Sequence, residues 1–449
     1  MNIWTVFTCV ILICSLIMDR ALGQTCKKFN LHSLFCMEWL VILFLEGLHA
    51  YGLYKSTDKF YFLIFLSIIA WCFGWAIGII TGKVRIKLNN SGNAVSQVAE
   101  KKAYYEVNHI ALRAVILFMF VITIILLLQI IRIIEDGNGY TYVRNLYLGR
   151  GENSFYSNGL FWFLNTRIFQ ACLYVAVPIF SLQIIQKKSI GESIVGLVII
   201  IVHEAAVGGR YVFFSIIVTF FMAMFLLDKK INYQQFKKQL RKLKKNIFFI
   251  SCLSVLGIVI ITGVRHNTFA TGEYDEILRQ VYSYFTLCVP LGSHWTEILD
   301  QENYVTGGGA IFYGLLDNIN FFLTHIGIDV FDDFVSSVQE ILGMPESVFL
   351  RLGTRISGNN YVTWIWYFYA DFRTFGVFFG NILFGFFAGK INKLAFRKHD
   401  MLFASYYLLF LEVIIRTFIR WGFSSGQYVM AYIILRFLFK KVHYVEDSK

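Results

Sequence analysis

The stretch HEAAVGGRYVFFS, residues 203–215, joins two long apolar segments through little more than two glycines and one arginine. A charged side chain inside a membrane is costly, so it lies at the end of a span or serves a function. This connection therefore predicts two neighbouring membrane-spanning helices with Arg210 at the boundary between them. Gly208 and Gly209 allow the tight turn that so short a connection requires.

The composition of the whole chain agrees with this interpretation. Of 449 residues, 57% are hydrophobic and 16% are charged, whereas soluble domains contain roughly 45–50% apolar and about 25% charged residues. We therefore expect an all-α polytopic membrane protein with about 11 (10–12) transmembrane helices. The formal net charge of +12 does not indicate a nucleic-acid partner, because the basic residues lie in short loops between apolar segments.

The predicted spans follow from the apolar segments. The first is favoured as an uncleaved span over a cleaved signal peptide, because no basic residue precedes it and Asp19-Arg20 follows it directly. The eleven segments lie near residues 3–18, 32–53, 60–81, 109–134, 159–185, 190–207, 210–228, 246–263, 374–392, 400–419 and 426–439.

The basic loops indicate the orientation of these spans. Lysines follow the third, fifth, seventh, ninth and last spans, all of which reach the same side of the membrane. The positive-inside rule makes that side cytoplasmic. We expect an N-terminal bundle over residues 1–263, a large periplasmic or extracellular segment over 264–373, and C-terminal helices with a cytoplasmic tail over 374–449. The large segment is aromatic-rich and interrupted by polar residues, which is typical of interfacial or re-entrant helices.

Lysine and arginine are distributed differently between the two sides. On this topology 21 of the 23 lysines lie in the cytoplasm, the exceptions being Lys55 and Lys59, whereas 12 of the 18 arginines lie at or beyond the outer boundary. Orientation does not explain the difference, because either cation would serve inside. These arginines are Arg132, Arg144, Arg150, Arg167, Arg210, Arg265, Arg279, Arg351, Arg355, Arg373, Arg416 and Arg420.

The chemistry of guanidinium explains such a distribution. Guanidinium is planar, always charged and binds phosphate oxygens bidentately, whereas ammonium is a hydrated point charge. An arginine-rich outer face therefore predicts a site for a di- or multi-anion. About half of the twelve are expected to pair with acidic side chains or to contact solvent instead. The acidic residues available for this are Glu135, Asp136, Glu273, Asp275, Asp332 and Asp333.

The chain contains no Walker, Rossmann, HExxH or CxxC pattern, and its cysteines suggest no disulfide. This argues against an ATP-driven pump and against a cytoplasmic sugar-nucleotide transferase. We predict neither a metal nor a cofactor. Arg210 has the depth of a lipid phosphate, although a lone interfacial arginine often extends its charge into water instead.

A distinctive order of residues occurs in NNYVTWIWYFYADFRTFG, residues 359–376, which continues into GVFFGNILFGFFAGKI. Asparagines, Thr363, an aromatic run and Asp371-Phe372 precede a glycine-bearing span that ends in Gly389-Lys390. This order resembles the C-terminal signature of Wzy-type oligosaccharide repeat-unit polymerases, which make the O-antigen and capsular polysaccharides of bacteria.

Three further features are similar to that family. They are the Gly209-Arg210 turn between two spans, Arg265 just outside the next span, and the aromatic segment YSYFTLCVPLG within the large outer segment. The chain also departs from the family, which often has glycine after the Asp-Phe pair, where Arg373 stands here.

The resemblance implies a fold similar to the C-type glycosyltransferases and the O-antigen ligases. It implies an enzyme of the bacterial cytoplasmic (inner) membrane that acts on the outer face. Such an enzyme transfers a growing glycan from undecaprenyl pyrophosphate to the non-reducing-end sugar of another lipid-linked repeat unit. The expected partners are undecaprenyl-pyrophosphate-linked glycans and the lipid bilayer, with a separate chain-length regulator and a flippase, and no nucleic acid.

The expected chemistry assigns roles to seven residues. Arginines stabilise the pyrophosphate as negative charge develops on it, and the candidates are Arg210, Arg265, Arg355 and Arg351. The acceptor hydroxyl needs a proton acceptor, and the candidates are His266, Asp371 and Glu204, followed by His203 and His294. Two of these have alternative roles: His266 in binding the leaving group, and Asp371 in an ion pair with Arg373 or Arg355.

Two other functions remain open from the sequence. An O-antigen ligase-like transferase would use the same donor, so the placement of arginines does not separate it from a polymerase. A lipid-glycan flippase or transporter is less favoured, because such proteins usually have more spans, no long outer segment and charges within the bundle. The charges within predicted spans are few here, and Glu46, His49 and Glu412 stand out.

Overall fold

The computed structural model describes residues 2–21, 30–89, 103–147, 159–209, 211–227, 274–398 and 400–443, and the structure is 79% helical. The helices of the N-terminal half are α1 (Ile3–Ala21), α2 (Leu31–Gly47), α3 (Asp58–Asn89), α4 (His109–Glu135), α5 (Tyr140–Tyr147), α6 (Gly159–Phe163), α7 (Gln170–Gln186), α8 (Ile190–Ala206) and α9 (Tyr211–Leu227). A π-helical segment, Leu164–Phe169, connects α6 to α7.

The C-terminal half continues with shorter helices and one long one. These are α10 (Tyr274–Thr286), α11 (Cys288–Gln301), α12 (Tyr313–His325), α13 (Asp332–Ser347), α14 (Thr363–Lys398), α15 (Met401–Ile414) and α16 (Gly426–Phe437). Four short strands complete the described residues: β1 (Ala103–Val107), β2 (Leu350–Arg351), β3 (Ser357–Gly358) and β4 (Phe439–His443).

Helices occupy ten of the eleven predicted span positions, and the eleventh, 246–263, lies outside the described residues. Among the described residues, four helices have the length and composition to cross a membrane: Asp58–Thr81, His109–Glu135, Leu160–Gln186 and Thr363–Arg397. These support a helical membrane protein, while the number of eleven spans stays a prediction. The apolar helices Ile3–Asp19, Tyr211–Leu226 and Met401–Ile414 are shorter.

The predicted outer segment, 264–373, contains four helices of 13 to 16 residues where it is described. A helix needs about 20 residues to cross a bilayer, so each of these is too short for a straight span. The segment ends within α14, which begins at Thr363 and not at residue 374, where the span was predicted to start. The predicted boundaries at residues 263 and 373 stay predictions.

The described chain forms two compact units. The first comprises Met1–Val98, Leu278–Arg397 and Phe410–Gly426, and the second comprises Ala99–Ile277, Lys398–Leu409 and Gln427–Lys449. Aromatic side chains fill the core of the first unit, where the rings of Trp39 and Trp364 lie 4.8 Å apart and those of Trp71 and Phe384 lie 4.5 Å apart. All four side chains are buried.

Glycines bring α3 and α14 into backbone contact within the first unit. A Cβ added to Gly74 would lie 2.0 Å from the Ile382 carbonyl oxygen, and one added to Gly385 would lie 2.2 Å from that of Trp71. Gly78 and Gly389, four residues further along each helix, make the same approach. Small residues at this spacing let membrane helices pack closely, which gives Gly385 and Gly389 of the 376–391 stretch a structural reason.

The second unit is built around α7. Residues 171–183 are buried on every side of this helix, as expected for a helix that is apolar all round. The helices α4 and α8 also pack together, and Arg113 and Glu192, near their N-termini, form an ion pair. The two helices therefore run parallel, which is the direction that the predicted topology assigns to both.

Strand pairing was not predicted from the sequence. The strands β1 and β4 pair antiparallel in the second unit, from Ala103 with His443 to Val107 with Phe439. The last predicted span, 426–439, therefore ends earlier as a helix, at Phe437, because the residues after it join a strand. The strands β2 and β3 form a short hairpin in the first unit.

Candidate functional site

The structure describes four of the seven residues predicted for the site. Glu204 lies in the second unit at the end of α8, whereas Arg351, Arg355 and Asp371 lie in the first unit. The three that lie outside the described residues are Arg210, Arg265 and His266. The four described residues are therefore divided between the two units, and each unit is considered by itself.

The helix α8 ends in a turn, residues 205–209, in which Gly208 takes a left-handed backbone conformation. The N–H of Gly208 donates to the carbonyl of Ala205 at 3.2 Å, and that of Gly209 donates to the carbonyl of Glu204 at 2.8 Å. This is the Schellman arrangement, in which the first residue beyond the helix cap is left-handed, and Gly208 has φ +70°. A Cβ on Gly209 would lie 2.0 Å from Glu204 Oε2. Arg210 therefore follows a turn of defined geometry.

The Glu204 carboxylate is buried and held within the protein. His203 Nδ1 lies 3.2 Å from Glu204 Oε1, and Gln170 Nε2 donates to the same oxygen at 3.4 Å. The other oxygen packs against Gly209. These contacts make Glu204 an anchor for the end of α8, and its predicted role as a proton acceptor stays a prediction.

The π-helical segment completes the surroundings of His203. Its last residue, Phe169, stacks on the imidazole with ring centroids 3.9 Å apart, and Asn165 Oδ1 lies 3.3 Å from His203 Nε2. The extra residue of a π turn shifts side chains out of α-helical register, and such turns are frequent at functional sites. Both ring nitrogens of His203 thus face side chains of the protein.

The helix α5 braces the turn after α8. Arg144 Nη1 donates to the Val207 carbonyl at 2.8 Å, and the Tyr140 hydroxyl donates to the Ala205 carbonyl. The guanidinium also lies over the Tyr147 ring, 5.9 Å from its centroid. Arg144 is thus engaged in holding the Val207 carbonyl, one of those that the end of a helix leaves without an intrahelical partner.

Asp371 is buried and accepts four hydrogen bonds from one loop. Thr306 Oγ1 donates at 2.5 Å and the N–H of Gly308 at 2.9 Å, both to Oδ1. The N–H of Ala310 donates to Oδ1 and that of Ile311 to Oδ2, each at 2.8 Å. The Asp371 carboxylate therefore holds the glycine-rich loop, residues 306–311. Its hydrogen-bond partners belong to this loop, and neither Arg373 nor Arg355, the predicted partners, is among them.

The two arginines predicted in the outer segment belong to the β2–β3 hairpin. Arg351 is exposed and donates to the carbonyls of Gly353 at 3.3 Å and Thr354 at 3.4 Å. Arg355 lies in the turn of the same hairpin and is also exposed. Both therefore belong to one short segment of the first unit, residues 350–358.

A cluster that the sequence did not predict lies elsewhere in the first unit; we refer to Lys59, Asp300, Tyr369 and Arg373 as the Asp300 cluster. Lys59 and Tyr369 both donate to the Asp300 carboxylate, the hydroxyl at 2.7 Å. Arg373 Nη1 lies 3.6 Å from Asp300 Oδ1. Both cations also lie over the Tyr369 ring, Lys59 Nζ at 5.0 Å and Arg373 Cζ at 5.3 Å from its centroid.

The electrostatics of the Asp300 cluster leave a positive excess. Two cations share one carboxylate, and the Asp300 and Arg373 side chains are 34% and 24% exposed. Burial raises the pKa of the Asp300 carboxyl, but the hydrogen bonds from Lys59 and Tyr369 and the charge of Lys59 outweigh it, so its pKa lies below the usual value. Among the described residues, Arg373 Nη1 has no hydrogen-bond partner. The Asp300 cluster therefore carries a formal net charge of +1, from two cations and one carboxylate.

The backbone at Arg373 is strained. Helix α14 kinks where Phe372 has φ −140° and ψ 27°, and Arg373 has φ 53° and ψ −140°. Such a conformation costs a residue with a side chain about 1–3 kcal/mol, whereas glycine adopts it freely. Glycine is what the resembled family often has at this position. The Arg373 side chain compensates with a 2.9 Å hydrogen bond to the Leu299 carbonyl and its contacts in the Asp300 cluster.

Two of the other arginines predicted for the outer face have contacts within the protein. Arg420 Nη2 donates to Glu346 Oε1 and to Asn360 Oδ1, each at 2.8 Å. Arg167 lies over the Trp162 ring, 5.3 Å from its centroid. The acidic partners of Arg373 and Arg420 are Asp300 and Glu346, rather than any of the six proposed from the sequence.

The other candidates have ordinary environments. His294 lies beside Trp295, with ring centroids 5.3 Å apart. Glu46, within a predicted span, is buried and accepts a hydrogen bond from the Tyr61 hydroxyl. In the part of the chain that the structure describes, no group of three or more His, Cys, Asp and Glu side chains is placed to hold a metal ion.

Comparison of the chain with protein-family models, with curated proteins and with solved structures finds no match. The function is therefore argued from the residues and their contacts.

Proposed function

We propose that this chain is a membrane glycosyltransferase that polymerises undecaprenyl-pyrophosphate-linked oligosaccharide repeat units into O-antigen or capsular polysaccharide. It would act on the outer face of the bacterial cytoplasmic membrane. The observation that carries the proposal is the separation of arginine from lysine along the sequence, with no lysine from 132 to 168 or from 264 to 375. A diphosphate leaving group is the kind of multi-anion that guanidinium binds bidentately.

Two structural features support this proposal. The α8 turn gives the chain a fixed direction immediately before Arg210, because α5 braces it and Glu204 packs against it. The Asp300 cluster holds two cations near one carboxylate, leaving positive charge unbalanced. Preorganised cations stabilise developing charge better than mobile ones.

The reaction needs charge stabilisation and one proton transfer. The bond between the anomeric carbon and the pyrophosphate oxygen breaks, and a new bond forms from the acceptor hydroxyl oxygen to that carbon. The lipid pyrophosphate leaves with the bonding electrons, and arginine neutralises its charge. The hydroxyl proton passes to a base, for which His266 is the predicted candidate beside Asp371 and Glu204. Cleavage of the glycosyl pyrophosphate supplies the energy, so the scheme uses no nucleotide.

The test supplies purified protein in proteoliposomes with lipid-linked repeat units as the only substrate. A polymerase should produce a ladder of glycans that differ by one repeat unit. A ligase should produce nothing until a separate acceptor is added, and a flippase should move the substrate between leaflets without lengthening it. Either of the last two results would contradict the proposal.

A further inference from the structure

Helix α12 packs, within the first unit, on the turn between the last two predicted spans. A Cβ added to Gly314 would lie 2.6 Å from the carbonyl oxygens of Phe423 and Ser425. One helical turn further on, Asn318 Nδ2 donates to the Gly426 carbonyl at 2.8 Å. In the predicted topology this turn lies at the outer boundary of the membrane. The face of α12 that carries Gly314 and Asn318 therefore ties the helix to that boundary.

A second face of α12 is apolar and exposed. Its four side chains follow one another at intervals of four, three and four residues, which places them along one side of a helix. Their exposed fractions range from 42% to 70%, and a contiguous apolar surface of this kind marks a contact with another molecule or with lipid. We refer to these residues as the α12 stripe: Leu315, Ile319, Phe322 and Ile326, the last of which caps the helix.

Polar side chains occupy the remaining face of α12. Asp317, Asn320 and Thr324 are also spaced by three and four residues, and the helical period places them on the side away from the α12 stripe. Asn320 Nδ2 donates to Asp332 Oδ1 at 3.0 Å, and Thr324 is exposed. The helix thus presents one face to the protein, one apolar face and one polar face. This is the arrangement of a helix that lies in the plane of a membrane surface.

The charge of this region is acidic. No lysine or arginine occurs from residue 280 to residue 350. Many interfacial helices use basic side chains to bind anionic headgroups, so α12 departs from them in this respect. The interaction that α12 offers to a membrane is therefore the burial of its stripe in hydrocarbon. The acidic residues of the 313–333 stretch are Asp317, Asp329, Asp332 and Asp333.

We propose that α12 lies in the plane of the membrane surface, with the α12 stripe inserted among the acyl chains of the adjoining leaflet. The partner of this surface is the lipid bilayer, which it contacts through hydrocarbon and not through headgroup charge. Helix α12 follows the 306–311 loop that Asp371 holds, so the contact places this loop at the level of the headgroups. The proposal does not depend on the proposed glycan chemistry.

The test compares how fast introduced cysteines react with a membrane-impermeant maleimide in the full-length protein in phosphatidylcholine vesicles. Native cysteines stay in place, because peptide mapping by mass spectrometry measures each cysteine separately. Ile319→Cys should react more slowly than Thr324→Cys on the order of tenfold, because a thiol in hydrocarbon does not form the reactive thiolate. Both positions are exposed on the same helix, and Phe322→Cys gives a second position in the α12 stripe. Equal rates at the stripe positions and at residue 324 would overturn the proposal.

A second measurement distinguishes lipid from protein as the cover of the α12 stripe. The photoreactive amino acid p-benzoylphenylalanine at residue 319 should crosslink to phospholipid in the same vesicles. A crosslink to a second copy of the chain in place of lipid would overturn the proposal. Replacing half of the phosphatidylcholine with phosphatidylglycerol should leave the maleimide rates unchanged. If Ile319→Cys were protected only in the presence of phosphatidylglycerol, headgroup charge would hold the helix and the proposal would be wrong.

Discussion

The end of α8 and the kink of α14 solve the same backbone problem in different ways. Each places one residue at positive φ, Gly208 at +70° and Arg373 at 53°. Glycine takes this conformation without steric cost, whereas arginine does not. The α8 turn is therefore relaxed and is braced from outside by Tyr140 and Arg144. The α14 kink is strained and depends on the side chain of the strained residue itself.

This difference distinguishes a position with a structural role, Gly208, from a candidate functional position, Arg373. Residue 208 is glycine, which the positive φ of this position favours, so its role is to form the turn. At residue 373 the chain keeps a charged side chain against that preference, and this side chain contacts Asp300, Tyr369 and the Leu299 carbonyl. Strain that persists at a polar cluster motivates a functional hypothesis. The kink is thus the more informative of the two regions.

The largest expected effect concerns Asp371, which precedes the kink and binds the 306–311 loop. Asp371→Ala should lower the free energy of unfolding by about 3–5 kcal/mol, because it leaves four donors of the 306–311 loop without their buried acceptor. Thr306→Val removes one of the four and should cost less. Thermal unfolding in detergent measures both. If Asp371→Asn kept the wild-type midpoint but abolished polymer formation, the structural role would be wrong and the predicted base would be favoured.

The next effect concerns the arginine that follows the α8 turn. Arg210→Lys should slow polymerisation on the order of 10²–10³-fold while membrane insertion persists, because ammonium lacks bidentate geometry. Arg144→Lys, in the helix α5 that contacts the turn, is the comparison and should be milder, since its contact is to a backbone carbonyl. Near-normal polymer length in Arg210→Lys would count against a bidentate phosphate role.

A direct comparison of the two positive-φ positions should give smaller effects. Gly208→Ala should destabilise by about 1–2 kcal/mol because alanine is strained at that φ. At the kink, Arg373→Gly should be more stable than Arg373→Ala by a similar amount, for the same reason. Both Arg373 variants should lose polymerisation rate together, since neither carries the cation. Equal stability of the glycine and alanine variants at residue 373 would show that the kink is not strained in the membrane.

The smallest expected effect is a pH dependence in the Asp300 cluster. The folded protein lowers the pKa of the Asp300 carboxyl, so its stabilising contribution is complete above about pH 4 and disappears as the pH falls through the lowered pKa. The difference in unfolding midpoint between wild type and Asp300→Asn should therefore shrink on acidification. Because the ion pairs are partly exposed, the difference in free energy of unfolding between the two proteins should stay below about 1 kcal/mol at neutral pH. If the difference between wild type and Asp300→Asn instead grew as the pH fell, the folded protein would raise the pKa of Asp300 and this prediction would be wrong.

The sequence predicted helices well where apolar length and glycine decide the structure. The Gly208-Gly209 turn was predicted because a helix end and a left-handed residue have local signals. The Asp300 cluster was not predicted, because Lys59 and Asp300 lie 241 residues apart. The periodicity of apolar residues predicts helices but does not say which helix ends lie close together. One signal was available: Lys59 is one of two lysines among the predicted outer residues. The β1–β4 pairing was missed for the same long-range reason.

The glycines shared by α3 and α14 limit how these helices can move against each other. At Gly74, Gly78, Gly385 and Gly389 nothing larger than hydrogen fits against the opposing carbonyls. Sliding either helix by one residue would place a side chain at every one of these points, so a one-residue shift of register is sterically excluded. In lipid, where burying apolar side chains gives little driving force, this selection by shape fixes the axial position of α14. It thereby also fixes where along α3 the kink at Arg373 lies.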